Sequence, residues 1–172
     1  FQYSYHIAKP APGGPGFRNP VDMVFYENMI FAISRGTEGE PCGRVGKFTK
    51  DERFVGQFAT YGTGDGQFIW PSAIAVDSGG QVYISDEYIH RINIYDSEGG
   101  SNGNWGVRGD QEGQLNGPSG MAFDNEDNLY ISDHRNHRIQ KFTKDGRLLL
   151  CFGSEGSGDA QLNLPWGITV DS

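Results

Sequence analysis

Paired cysteines, helical periodicity, long apolar runs and excess positive charge are all scarce in this 172-residue chain, and each scarcity narrows the possibilities. Cys42 and Cys151 are the only cysteines, and neither belongs to a C-x-x-C pair, so zinc-finger and thiol–disulfide chemistry have no support. Cys151, inside the apolar run Leu148–Phe152, is expected to be a small buried hydrophobe. No window shows apolar residues recurring at three and four positions, which excludes packed amphipathic helices. No stretch approaches the ~20 apolar residues that cross a bilayer, so membrane insertion is not expected. The net charge is −8, from 14 Lys+Arg against 22 Asp+Glu, which works against generic attraction to polyanions. The first residue is Phe1 and no basic n-region precedes an apolar stretch, so the natural N-terminus is expected to lie elsewhere.

What the chain does contain is glycine, at 26 residues, and aromatics, at 13%. Glycines separating short aromatic and β-branched runs predict many tight turns between many short strands, an all-β fold. The runs repeat. Pro71-Ser72-Ala73-Ile74-Ala75-Val76-Asp77 returns at Pro118–Asp124 and again at Pro165–Asp171, each copy 47 residues after the last. Val82-Tyr83-Ile84-Ser85-Asp86 returns at Leu129–Asp133, and Arg91-Ile92-Asn93-Ile94-Tyr95 at Arg138–Phe142, with the same spacing. A divergent earlier copy opens at Pro20 and carries Ile30–Arg35 and Arg44–Phe48. Four extra residues between Arg35 and Arg44 are assigned to a loop at 36–41.

Each period predicts four antiparallel strands. The first follows a proline, which supplies no ladder donor. Ser78-Gly79-Gly80 and Lys144-Asp145-Gly146 turn the chain at positions that tolerate positive φ. The fourth strand ends on an aromatic thirteen positions before the next proline: Phe58, Trp105 and Phe152. Four short strands per 40–50 residues describe a propeller blade. The register divides the chain into the end of a preceding blade at 1–12, blades at 13–58, 59–105 and 106–152, and the start of a further blade at 153–172. Gln2–Ile7 is then the last strand of the preceding blade, and the chain is expected to be an excerpt of a longer propeller.

These motifs resemble the NHL-repeat family. The best copy runs from Gly113 and Pro118 to Gly146 and includes Asp133, Asn136, His137 and Arg138. The second repeat has Ile89 where the family usually has asparagine, and the first has Arg35 at the place of the aspartate. The resemblance implies a β-propeller, usually six-bladed, used mostly for binding and occasionally for catalysis. Among enzymes the resemblance extends to peptidyl-hydroxyglycine amidating lyases, whose arginine-glycine pair is similar to Arg35-Gly36. That family places zinc-binding histidines directly after the strand-opening proline, whereas Val21, Ser72, Ser119 and Trp166 stand there in this sequence. A lyase or hydrolase with its metal ligands elsewhere is therefore the alternative to a binding scaffold, and no catalytic residue, metal or cofactor is assigned.

The chemistry-bearing residues divide by symmetry. Asp86 with Arg91, and Asp133 with Arg138, bracket the turn between second and third strands and repeat with the fold, as do Asn136 and His137 in the best copy. Repetition argues for structure, with each aspartate pairing its arginine across the turn. His90, His134 and His137 lie on turns that do not aim them together, and His6 adds no recognisable ligand spacing. Asp124-Asn125-Glu126-Asp127-Asn128 is a hairpin turn rather than a calcium loop. Gly62–Gly66 has no lysine or helix to make it a phosphate cradle, and related glycines recur in each period.

The second-to-third turns and blade-to-blade crossovers share one face and vary most, so binding is expected there. The candidate contacts are Arg35, Glu87, Tyr88, His90, His134 and Arg135. Loops on this face carry six arginines, Arg35, Arg44, Arg91, Arg108, Arg135 and Arg138, against ten acids. The acids are Glu38, Glu40, Asp65, Asp86, Glu87, Asp110, Glu112, Asp133, Glu155 and Asp159. Tyr88 is the one aromatic between second and third strands. The sequence therefore favours a protein or small polar ligand as partner and argues against RNA.

Overall fold

The computed structural model describes residues 16–37 and 40–171. The expected strand at Gln2–Ile7, with His6, lies outside them, as does the side chain of Cys42.

Three four-stranded antiparallel sheets follow one another along the chain. The first contains β1 (Pro20–Tyr26), β2 (Met29–Thr37), β3 (Glu40–Thr49) and β4 (Phe54–Phe58). A short parallel pair, β5 (Thr60–Tyr61) and β6 (Gln67–Phe68), opens the second unit. Its sheet is β7 (Pro71–Val76), β8 (Val82–Asp86), β9 (Arg91–Tyr95) and β10 (Ser101–Trp105). The third is β11 (Pro118–Phe123), β12 (Asn128–Asp133), β13 (Arg138–Thr143) and β14 (Leu148–Phe152). Each is a simple meander with consecutive strands paired, and β1, β7 and β11 are neighbours across sheets.

The core lies between the sheets. Phe31, Ile33 and Val45 of the first blade meet Phe68, Ile74, Val82, Ile84 and Tyr95 of the second. Ala73, Ala75, Tyr83 and Ile92 meet Leu115, Met121, Leu129, Ile131 and Phe142 of the third. A central strand is covered on both faces, which is why β8 is buried at all five positions. The aromatics that end the fourth strands close these seams. Phe58 packs on Tyr95 with ring centroids 5.2 Å apart, and Trp105 on Phe142 at 5.0 Å. Each also covers a hairpin glycine of the next blade. A Cβ on Gly99 (φ 96°) would stand 2.4 Å from Phe58 Cβ, and one on Gly146 (φ 88°) 2.7 Å from the Trp105 ring.

The first blade departs from the expected alignment. Pro20 pairs with Ser34, just as Pro71 pairs with Asp86 and Pro118 with Asp133. Ser34, not Arg35, therefore occupies the aspartate position, because the two-residue turn between Tyr26 and Met29 is shorter than the turns at 77–81 and 124–127. Positions 36, 37, 40 and 41 of the expected loop are strand instead. They lengthen the β2–β3 hairpin, where Gly36 pairs with Pro41 and Thr37 with Glu40. Cys151 is half-buried rather than buried, since β14 is an outermost strand with one paired edge. Residues 165–171, expected as the first strand of a further blade, have no strand ladder. Their register is nonetheless anchored: Gly120 N–H donates to Trp166 O at 2.7 Å, and Ser119 Oγ to the same carbonyl at 3.0 Å.

Candidate functional site

The repeated aspartates build the face on which binding is expected. Asp86 is fully buried. Its carboxylate accepts four backbone N–H groups: Ile69 at 2.6 Å, Trp70 at 3.2 Å, Tyr88 at 3.0 Å and Ile89 at 3.2 Å. One side chain thereby fixes both the crossover entering β7 and the turn leaving β8. Glu87 N–H adds a bond to Trp70 O at 3.0 Å. Asp133 does the same work with different partners. It accepts Asn116 N–H (2.6 Å), Asn136 Nδ2 (2.8 Å), Arg138 Nε (2.7 Å) and Gln140 Nε2 (3.0 Å).

The expected Asp–Arg pair forms at Asp133–Arg138. In the second blade Arg91 turns its Nε to Asn93 Oδ1 at 2.9 Å instead. The cause is local: Asn93 and Ile89 replace Gln140 and Asn136, and backbone N–H groups take up Asp86. Both arginines clamp the preceding crossover loop. Arg91 donates to the carbonyls of Thr63, Gly64 and Gln67, and Arg138 to those of Asp110, Gln111 and Gln114. Sequence reasoning missed the glutamines that shape these loops, although Gln67, Gln114 and Gln161 share the 47-residue period. Their Oε1 atoms accept the N–H of Gly64, Gln111 and Gly158. The Gly62–Gly66 turn is thus held from inside. The acidic hairpin turn at 124–128 is likewise internally bonded. Burial would raise the Asp124 carboxyl, but bonds from Lys141, Asn128 and Glu126 bring it down to about 2.

Histidines lock the crossovers. His90, at φ 56° and 6% exposed, presents Nδ1 to Gly117 N–H at 3.0 Å. His137, at φ 53°, presents Nδ1 to Leu164 N–H at 3.2 Å. A backbone N–H can only donate, so each ring nitrogen is an unprotonated acceptor. His90 therefore leaves the candidate contact set: it is buried beneath the face, and burial followed by Arg108 and Arg135 lowers its pKa. His134, in a single 3-10 turn at His134–Asn136, places Nδ1 3.2 Å from Pro165 O and packs edge-on against Trp166. No cluster of three or more metal-ligating side chains occurs among the described residues.

Four residues meet at the surface between the second and third blades. Trp70, Glu87, Tyr88 and Arg135 line an open pocket of about 280 Å³. Tyr88 is 66% and Trp70 39% exposed, whereas Glu87 is buried. Arg135 Nη2 donates to Glu87 Oε1 at 2.7 Å, and the arginine stem lies along Gly117, which His90 holds. Arg35 extends the site: its guanidinium carbon stands 4.3 Å over the Trp70 ring, and Nε and Nη2 donate to Pro71 O at 3.1 and 2.8 Å. Burial lowers the Arg35 pKa, with Glu87 and Asp86 opposing. Of the sequence candidates, Arg35, Glu87, Tyr88 and Arg135 gather here and His134 sits at the next crossover. Trp70 was missed. The crossover position that it occupies carries Gly117 and Leu164 in the later copies, and this break in the repeat was its signal.

Comparisons agree with this architecture. No curated protein matches the chain in sequence. Among solved structures, a streptogramin B lyase matches 95% of this chain with 47% of its own (TM-score 0.65, 15% identity). A chain of a nidogen–laminin complex matches 90% with 53% of its own (TM-score 0.63, 21% identity). A virginiamycin B lyase from Staphylococcus aureus matches 82% with 43% of its own (TM-score 0.58, 12% identity). The chain spans about half the length of these proteins, and at such identities the likeness shows the fold. Residues 68–95 and 115–142 each match the NHL repeat model, so these two stretches are NHL repeats, and the four-stranded sheets are blades of the β-propeller type.

Proposed function

We propose that this chain is a binding scaffold that engages a protein partner through the face carrying the second-to-third strand turns. The observation that supports it most is the grouping of Trp70, Tyr88, Arg35 and Arg135 around one pocket. Tryptophan, tyrosine and arginine dominate interface hot spots, because they offer large contact area and directed hydrogen bonds at modest entropic cost. Their backbone is rigid at this site, since Asp86 ties Trp70 and Tyr88 together, so little ordering remains to oppose association.

A photo-crosslinking amino acid at Tyr88 tests this reading against one at Glu126, on the opposite turn. A defined partner should couple at Tyr88, fail to couple at Glu126, and be lost when Arg135→Ala is added. Equal coupling at both positions, unaffected by Arg135→Ala, would contradict it.

A further inference from the structure

The pocket's donors point to one ligand chemistry. Arg135 spends one N–H on Glu87, and its side chain is 51% exposed. Among the described residues it has no other hydrogen-bond partner, so most of its five donors face outward on a guanidinium already fixed in place. Arg35, stacked on Trp70, keeps Nη1 unspent among the described residues. The backbone offers nothing comparable. The N–H groups of Trp70 and Tyr88 are bound to Asp86, that of Glu87 to Trp70 O, and that of Arg135 to Asn116 O. Arg35 and Arg135 against Glu87 sum to one net positive charge, and the Asp86 carboxylate that also acts on Arg35 is fully buried and taken up by four backbone N–H groups.

From this we infer that the pocket takes a single carboxylate, the side chain of an Asp or Glu within a partner polypeptide, with an apolar neighbour lying on Trp70 and Tyr88. The inference rests on the protein-binding reading and sharpens it. A planar guanidinium held at one edge presents the fork that a carboxylate fills with two parallel bonds. Terminal carboxylates are typically captured in nests of free backbone N–H groups, and those are used up here. A dianion such as a phosphoryl group would meet the Glu87 carboxylate at close range and the negative chain beyond it. A single charge with an apolar flank matches one net cation beside two exposed rings.

The test uses the full 172-residue chain and capped peptides, Ac-Gly-Glu-Phe-Gly-amide against its Gln and phosphoserine counterparts and an uncapped Gln-Phe peptide. The NMR readout is the Trp70 indole N–H, assigned by its loss in Trp70→Phe. The Glu peptide is expected to bind about tenfold more tightly than the Gln peptide, the discrimination of roughly one charge-assisted bond. Arg135→Gln should remove that preference, read as the ratio of Glu-peptide to Gln-peptide affinity falling to about one. Arg135→Lys, which keeps the charge and drops the fork, should fall between. Equal binding of Glu and Gln peptides overturns the carboxylate assignment and leaves the binding face standing. Tighter binding of the phosphoserine or uncapped peptide overturns the choice of anion. Failure of every peptide to move Trp70 counts against this ligand and against the face as well.

Discussion

His90 Nδ1 accepts the backbone N–H of Gly117 at 3.0 Å, and Gly117 in turn seats the stem of Arg135. A buried histidine thus holds the crossover on which the pocket arginine rests. Burial, then Arg108 and Arg135, lower the His90 pKa, outweighing Asp86 and Asp133. The folded state therefore favours the neutral ring, and the unfolded chain binds the extra proton first as pH falls. This contribution to stability is complete above the unfolded value of about 6.5. It declines as pH drops through 6.5 toward the lowered folded value, by at most about 1.4 kcal/mol per pH unit. His90→Asn, which tolerates the left-handed backbone, should cost stability at pH 8 and flatten the slope below 6.5. Urea denaturation of both chains across pH 5–8 measures this. Parallel profiles would show that His90 is not the titrating lock.

The two repeat arginines should differ in cost. Arg138→Met strands the buried carboxylate of Asp133, whose partners otherwise include two side-chain amides and one backbone N–H. A loss of about 3–5 kcal/mol follows from breaking a buried pair. Arg91→Met leaves Asp86 with its four backbone donors and should cost about half as much. Denaturation midpoints of the two variants decide it, and equal losses would contradict the different roles assigned to Asp86 and Asp133.

Gly99→Ala places a methyl 2.4 Å from Phe58 at φ 96°, combining overlap with backbone strain at the first seam. A destabilisation of about 2–4 kcal/mol is expected. Gly56→Ala, where a Cβ meets nothing within 4 Å, is the control and should change stability by under about 0.5 kcal/mol. Thermal unfolding of both variants supplies the comparison.

RNA should bind weakly. Arg91 and Arg138 are committed to loop carbonyls, which leaves fewer cations to displace counterions than the sequence count suggests. Filter binding at physiological salt should give no submicromolar affinity for single-stranded RNA. A tight complex with steep salt dependence, lost with Arg135→Glu, would show that the face had been misjudged.

The second and third blades were legible because the spacing from motif to motif is the same in both, so every motif returns at 47 residues. The first blade was misaligned by one residue at Arg35, since a shorter first turn and a longer β2–β3 hairpin offset each other in the count. Arg91 and Asp86 looked like a pair because periodicity shows which positions recur and not which atoms meet. With Asn93 and Ile89 in place of Gln140 and Asn136, and Asp86 taken up by backbone N–H groups, the arginine turns to Asn93. The candidate site was half visible. Glu87, Tyr88 and Arg135 stood out as turn residues that break the symmetry, while Trp70 lay on a crossover where no motif called attention to it. Burial of His90 depended on Gly117 arriving from the next blade, a contact with no signature in local sequence.

The claim that the Trp70–Glu87–Tyr88–Arg135 face is the binding surface can be tested without knowing the partner. Small aromatic probes collect at interface hot spots because these combine exposed rings with fixed polar groups. Titrating phenol into the isotopically labelled chain should shift the Trp70 indole and the amides of Tyr88 and Arg135 first and most. Saturable shifts confined to the opposite turns, around Asp124–Asn128 and Lys144, with Trp70 unmoved, would contradict the account.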